Sequence, residues 1–230
     1  MGHKFYLILK RCFDCLTALI GIVASSPFWL IATIGIYLSD PGPIFFCARR
    51  IGKDDKEFRM WKFRSMRVPR VEEEKSEVSF KPDENRIFPF GHLIRALKID
   101  ELPQLLNIFA GSMSIVGPRP VSVDQACVMR HGKYCITGSV RPGLTGPAAL
   151  YDYIYGDNVK DPHDYETLVL PTRLELEAYY PAHMSIGLDL KMIWYTVVCV
   201  FATLFHKTPN RILNELKQLA KTDIATAEKR

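Results

Sequence analysis

Two adjacent acids, Asp100 and Glu101, stand in the run Ile99-Asp100-Glu101-Leu102-Pro103-Gln104-Leu105. Two proline-stiffened arginine loops follow, Gly117-Pro118-Arg119-Pro120 and Arg141-Pro142-Gly143-Leu144-Thr145-Gly146. Proline is tolerated in the first turn of a helix and not in its interior, so Pro103 places Asp100 near an N-cap. There the unpaired amides and the helix dipole favour the anionic carboxylate. Capping alone would account for one acid. An ionised Asp100 can also attack phosphorus or bind Mg²⁺, with Glu101 beside it as metal ligand or general base. Neighbouring carboxylates repel, which calls for a divalent cation or nearby arginines.

The arginine loops supply the other half of such chemistry. Prolines on both sides of Arg119 fix its backbone, so its guanidinium loses little freedom when it grips two phosphate oxygens. The loop at Arg141 repeats the theme, with glycines that let a backbone approach a ligand closely. A plain surface turn is the alternative for each, and neither loop has a Walker or Rossmann pattern.

Several elements must position these groups. Alternation in Trp61-Lys62-Phe63-Arg64-Ser65-Met66 predicts a half-buried strand with Lys62 and Arg64 on a solvated basic face. Residues 91–99 carry Leu93, Ile94 and Leu97 at helical spacing, with Arg95 and Lys98 outward. A second helix starts near Asp100, buries Leu102, Leu105, Leu106 and Phe109, and can end at Gly111. Residues 68–85 are polar and aperiodic, the pattern of a surface loop. Met192 to Phe205 is apolar but short for a membrane crossing, which suits a core or interfacial helix. Residues 211–220 read as an amphipathic surface helix.

The amino terminus is the other conspicuous segment. From Phe13 to Leu38 no residue after Asp14 is charged. As a helix this stretch is roughly 39 Å long, against a hydrocarbon core of about 30 Å. Two features oppose a plain span. Pro27, after Ser25 and Ser26, removes a helix hydrogen bond and favours a kink. Basic residues flank both ends, Lys4, Lys10 and Arg11 before and Arg49, Arg50 and Lys53 after, so charge bias does not choose a cytoplasmic end. A helix that enters, bends at Ser26-Pro27 and returns satisfies both; a spanning helix remains the competing topology.

The chain has 230 residues, a net charge of +5 and 48% hydrophobic residues, a balance that indicates neither disorder nor a polytopic membrane protein. The modest basic excess suits anionic lipid, nucleotides or nucleic acid without choosing among them. Six scattered cysteines include Cys12 and Cys15 in a C-x-x-C, with no second ligand pair for zinc and no βαβ setting for redox. They fit packed thiols in a reducing compartment.

Read in order, these residues resemble the bacterial sugar transferase family, the small monotopic polyprenyl-phosphate phosphoglycosyl transferases. The resemblance rests on Lys10, Arg11 and Asp14; Ser26-Pro27; Pro41-Gly42-Pro43; Lys62-Phe63-Arg64-Ser65-Met66; Asp100 to Leu105; Met113-Ser114 with Val116 to Pro120; Arg141 to Gly146; and Leu188-Asp189-Leu190-Lys191. It implies a mainly α fold with minor β structure. A re-entrant helix-break-helix (1–39, broken at Ser26 and Pro27) would precede a compact cytoplasmic catalytic domain (40–185) and carboxy-terminal interfacial and amphipathic helices (186–230). It implies transfer of a sugar 1-phosphate from a UDP-sugar to undecaprenyl phosphate on the cytoplasmic face of the bacterial inner membrane. UMP would be released and Asp100 would carry a covalent phosphosugar, in the first membrane step of glycoconjugate assembly.

Further expectations follow from the same resemblance. Asp100 and Glu101 would be catalytic and hold Mg²⁺. Lys62, Arg64, Arg95, Arg119, Arg141 and Asp189 would bind substrate and phosphate. The partners would be the two substrates and membrane lipid, with a homodimer left open and nucleic acid excluded. Cys47, Phe88, Ser112 and Pro147-Ala148-Ala149 depart from the family's usual residues and bear on the donor sugar. A membrane-anchored, non-catalytic binder of anionic lipid is the alternative, and it gives no reason for the paired acids. A membrane-tethered nucleic-acid binder would need a recognised module and a basic stripe, and the chain has neither.

Overall fold

The computed structural model describes residues 2–67, 84–205 and 207–227. The expected polar loop at 68–85 lies almost wholly outside the described residues. The chain opens with one long helix, α1 (Gly2–Ser39), followed by strands β1 (Phe45–Ile51) and β2 (Glu57–Phe63). Helix α2 (Pro89–Ala96), a 3-10 turn (Ile99–Glu101) and helix α3 (Gln104–Ala110) come next. Then follow β3 (Ser114–Val116), β4 (Val121–Ser122), the short α4 (Ala126–Met129), β5 (Gly143–Thr145) and α5 (Pro147–Ile154). A short α6 (Pro162–Asp164) runs through a π turn into α7 (Leu170–His183), and α8 (Ile186–Leu204) and α9 (Asn210–Ala227) complete the fold. The expectation of a mainly helical protein with small sheets holds.

The strands make a three-stranded antiparallel sheet, β2-β1-β4, and a parallel pair, β3-β5. The main core gathers Leu105, Ile108, Met113, Val116, Tyr151, Tyr165, Leu176, Tyr180, Met192 and Leu216. A second cluster, Ala32, Ile36, Phe63, Phe88 and Ile94, joins α1 to β2 and α2.

One stripe of α1 packs on the rest of the protein on both sides of residues 23–28. Tyr6 and Lys10 reach Asp189 at the start of α8, at 2.8 and 3.0 Å. Asp14, only 2% exposed, accepts from Ser114 Oγ and the amide of Ile115 in β3. Leu105 packs against Gly21, and Trp29 meets the Phe63 ring edge-on at 5.4 Å. Gly35 lies under the Phe90 ring, where a Cβ would clash at 2.3 Å. The opposite stripe is apolar and exposed: Leu16, Leu19, Ile20, Val23, Leu30, Ile31, Ile34 and Leu38. Helical backbone continues through Ser26 and Pro27, so the expected break does not interrupt the secondary structure, and Ser26, Pro27 and Phe28 are all exposed.

Three expectations of burial are corrected. Leu93, Leu106 and Phe109 are 52%, 41% and 50% exposed; Ile94 and Leu105 are buried as expected, and Ile108 joins them in the core. The apolar helix expected at Met192–Phe205 is longer, with 19 residues, because Ser185 caps it by accepting from the amide of Leu188. Its outward stripe, Ile186, Leu190, Trp194, Val197 and Phe201, is exposed. By length and composition, residues 5–39 and 186–203 are both able to cross a membrane. In contrast, α9 buries Ile212, Leu213 and Leu216 as its pattern predicts.

Candidate active site

Asp100 and Glu101 lie in the 3-10 turn ahead of α3, and not at its cap. Lys98 opens that turn in a left-handed conformation (φ 55°), a strained geometry for a residue with a Cβ. Pro103 occupies the position before Gln104, so α3 starts four residues after Asp100. No side chain caps either element. The expected stabilisation of Asp100 by helix amides is therefore replaced by another environment. Asp100 is 5% exposed, and its Oδ1 is buried without a hydrogen-bond partner. Burial pushes its carboxyl above the usual aspartate range, against the opposing charges of Lys62, Lys98 and Arg95.

Glu101 has the opposite balance. Lys62, on β2, donates to its Oε1 at 3.0 Å. Burial alone would raise its carboxyl, but Lys62, Lys98 and Arg119 outweigh that and hold it at about 2. The two neighbours thus differ: Glu101 is a firmly paired anion, and Asp100 is an undersolvated carboxylate with one bare oxygen.

The basic face of β2 is not solvated as expected; it turns to the site and to the end of α1. Lys62 serves Glu101. Arg64, 5% exposed, pairs with Asp40 Oδ2 at 3.1 Å and also donates to the Asp40 carbonyl, closing the turn that leaves α1. Arg95, on α2, lies 3.8 Å from Met66 Sδ and within electrostatic reach of Asp100.

Arg119 is held by a buried network that sequence patterns did not reveal. Its guanidinium donates to Asp152 Oδ2 at 2.7 Å, and its amide donates to Glu177 Oε2 at 2.8 Å. Tyr165 donates to Asp152 Oδ1 at 2.7 Å, and Arg173 donates to Tyr165 at 2.7 Å. Burial disfavours the Arg119 charge, but Asp152 and then Glu101 more than offset it and raise its pKa. Burial pushes Glu177 up to about 7 despite Arg173. Asp152 sits within the apolar α5 and Glu177 within α7, and no local pattern marks either as a partner of Arg119. Lys98, read as an outward charge, faces the acids; it also sits 4.6 Å from the Tyr153 ring and 3.7 Å from Asp157.

The other two expected phosphate ligands stand elsewhere. Arg141 donates to the Gly111 carbonyl at 2.8 Å, while Arg11 donates to the carbonyls of Ile108 and Phe109 at 2.7 and 2.8 Å. Both cations serve the carbonyl end of α3. The glycines beside Arg141 are explained by backbone contact, since a Cβ at Gly143 would lie 2.1 Å from the Gly117 amide nitrogen. Asp189 accepts from Tyr6, from Lys10 and, at 2.5 Å, from Tyr180, joining α1, α7 and α8.

What the structure brings together is therefore Asp100 and Glu101 under Lys62, Lys98, Arg95 and Arg119. Such a positive shell suits a multiply charged phosphate ester. Among the described residues no group of three or more His, Cys, Asp or Glu gathers in a metal-holding arrangement. The bare Oδ1 of Asp100 next to the Glu101 carboxylate nevertheless fits Mg²⁺, which commonly takes one or two carboxylates and completes its shell with water and substrate phosphate.

A family model described as bacterial sugar transferase matches residues 5–203. The UDP-N-acetylgalactosamine-undecaprenyl-phosphate N-acetylgalactosaminephosphotransferase of Aeromonas hydrophila is 35% identical over 203 residues, covering 86% of this chain and 44% of that protein. The UDP-glucose:undecaprenyl-phosphate glucose-1-phosphate transferase of Escherichia coli (strain K12) is 34% identical, covering 83% of this chain and 39% of that protein. The chain thus spans less than half the length of these two relatives. The exopolysaccharide production protein PSS of Rhizobium leguminosarum bv. phaseoli is 34% identical, covering 84% of this chain and 94% of that protein.

Proposed function

Because the chain belongs to the bacterial sugar transferase family, we propose that it moves a sugar 1-phosphate from a UDP-sugar to undecaprenyl phosphate, releasing UMP, with Asp100 as nucleophile. The observation that carries this reading is the contrast within the acid pair. Lys62 neutralises Glu101, and Asp100 keeps an oxygen free of protein donors at the centre of a basic shell. A purely lipid-binding protein has no use for a buried carboxylate there.

In the first half-reaction an Asp100 oxygen attacks the sugar-bearing phosphorus of the donor. The bond from that phosphorus to the bridging oxygen breaks, and UMP leaves with the electron pair. In the second, an oxygen of undecaprenyl phosphate attacks the same phosphorus, the bond to Asp100 breaks, and the carboxylate is restored. Glu101 remains an anion throughout at neutral pH and keeps Lys62 aimed at the site. Arg119, braced by Asp152 and Glu177, stabilises charge on the phosphoryl oxygens. Mg²⁺, held by Asp100 and Glu101 with the donor phosphates, would supply neutralisation of the phosphate charge.

The seating of α1 supports a monotopic placement on the cytoplasmic face of the inner membrane. Its first turns touch α8 and its last turns touch α2 and β2, so both ends belong to one domain. A helix crossing the bilayer would carry one end to the far side. Entry and return with the tip at Ser26-Pro27, where the side chains are exposed, keeps both ends together. The exposed apolar stripes of α1 and α8 then face lipid.

The test is UMP release from a panel of UDP-sugars with undecaprenyl phosphate, Mg²⁺ and the protein in membranes or detergent. The sugar that supports turnover identifies the donor. Intact-mass analysis after donor alone should show a phosphosugar adduct mapping to Asp100. An active protein without that adduct, and without exchange of labelled UMP into the donor, would remove Asp100 from the nucleophile role.

A further inference from the structure

We propose that Arg50 is a second arginine of this site and grips the nucleotide phosphate of the donor, the one that leaves as UMP; the assignment rests on the function proposed above. Arg49 and Arg50 look alike in sequence, as a basic flank of the membrane segment. The sheet separates them. Arg49 is exposed and pairs with Glu57 at 2.6 Å. Arg50 lies opposite Ser122 in the β1-β4 pairing and its guanidinium contacts the Ser122 hydroxyl. Ser122 comes three residues after Arg119, so the two guanidiniums sit along one short stretch of chain.

Arg50 is poorly provided for. Its Nε is buried and has no hydrogen-bond partner. Asp124 is the acid that supports its charge, without an ion pair between them, while Arg119 and Arg173 repel it. Burial, and then that repulsion, push the Arg50 guanidinium below the usual arginine value. Buried arginines ordinarily have a bidentate acid partner. Arg173 also keeps a bare Nε, but it and Arg119 both have acids in reach; Arg50 has a hydroxyl and no acid partner. An anion between Arg50 and Arg119 would complete all of this at once.

The position selects which phosphate. Phe46 pairs with Lys62, which holds Glu101, and Arg50 lies four residues further along β1 on the same face, beside Ser122 and so near Arg119. With one phosphate reacting at Asp100, the next phosphate of a diphosphate extends along the sheet toward Arg50. The lipid phosphate does not suit this place. The other end of β1, Phe45, stacks on Phe63 at 5.2 Å and meets Trp29 of α1 at 6.3 Å. Arg50 is five residues further along the strand, roughly 17 Å from that lipid-side end. A soluble nucleotide can approach there; a headgroup seated beside α1 cannot.

The experiment uses the full chain in detergent with UMP and uridine as probes. Product inhibition by UMP, relative to uridine, is measured for the wild type, Arg50→Gln and Arg50→Lys. Loss of a charge-assisted contact to phosphate should weaken UMP inhibition and raise the donor KM by about tenfold in Arg50→Gln, with uridine inhibition unchanged and the acceptor KM unmoved. Arg50→Lys should recover only part. Should these variants fail to fold, arginine modification of the wild type by phenylglyoxal, mapped by mass spectrometry, gives the same answer: UMP should shield Arg50 and uridine should not. Equal modification with and without UMP, or an unchanged UMP-to-uridine ratio in Arg50→Gln, overturns the assignment while the transferase reading stands. If wild-type protein releases no UMP from any donor, the transferase reading fails and the assignment falls with it.

Discussion

Lys62 Nζ lies 3.0 Å from Glu101 Oε1, whereas the adjoining Asp100 leaves its Oδ1 buried and bare. One lysine therefore divides two neighbouring acids into a paired anion and a buried carboxyl with a bare oxygen. Glu101 is held at about 2, and the Asp100 carboxyl is raised by burial.

Asp100→Asn should abolish UMP release, by on the order of 10³-fold or more, while thermal stability stays level or rises. The amide is isosteric and removes an undersolvated charge, and no helix cap is lost because Asp100 caps nothing. Turnover and a melting curve check both halves. A destabilised variant would contradict the burial argument, and an active one the nucleophile.

Lys62→Met should move the acidic limb of kcat/KM to higher pH. Lys62 is the foremost positive charge lowering both carboxyls, so its loss raises both and protonates the pair at a pH where the wild type is ionised. A pH profile from about 4 to 8 reads the shift. An unmoved limb would disconnect Lys62 from the acids.

Arg119→Lys should lower kcat/KM by about tenfold, because an ammonium lacks the planar fork that meets Asp152 and a phosphate together. Asp152→Asn should fall in the same direction through Arg119, and the double variant should lose less than the sum of the two. Full additivity would show that Asp152 acts independently of Arg119.

Glu177 gives a stability signature. Its folded-state value, about 7, lies above its ordinary 4.5 because burial outweighs Arg173 and the Arg119 amide. The folded state thus binds the proton more tightly than the unfolded chain. That contribution is complete below the ordinary value and is lost as pH rises through about 7. Glu177→Gln should flatten the fall in melting temperature across this window relative to the wild type. Parallel curves for the two proteins would refute it.

The membrane placement is tested by labelling. In a background lacking the exposed Cys12, Cys127 and Cys135, cysteines at His3 and Lys53 should both react from the cytoplasmic side. Replacing Ser26 and Pro27 with leucines restores the backbone donor that proline lacks and removes the weak point for a bend. Residue 3 should then move to the periplasmic side and activity should fall. Wild-type labelling of residue 3 only from the periplasm would establish a span.

Much of the site was legible because its signals are local. The acids are adjacent, Arg119 is boxed by prolines, and Gly111 ends α3 in the left-handed conformation (φ 95°) that its position suggests. Asp152, Glu177 and Arg50 were not legible, because each acquires meaning only across a tertiary contact: Asp152 through Arg119, Glu177 through an amide, Arg50 through strand pairing. Periodicity found the apolar stripes but not the solvent they face. Leu93, Leu106 and Phe109 look like core residues, yet they are exposed on a protein whose other large exposed apolar stripes lie on α1 and α8. Arg141 and Asp189 matched motif positions, and in the fold they brace α3 and α1.

The α1 helix is structurally part of the unit that carries Asp100 and Glu101. Asp14 satisfies an amide and a hydroxyl of β3, Arg11 covers the carbonyl end of α3, and Lys10 and Tyr6 neutralise and bond Asp189. Removing α1 would leave the Ile115 amide and Asp189 short of partners and expose the Ile94–Phe63 cluster to water. A soluble enzyme cannot be trimmed from this chain. The family match begins at residue 5, inside the helix, and the relatives of more than twice this length keep the same block. Within the matched block, the apolar helix and the acid pair stand in one continuous folded unit.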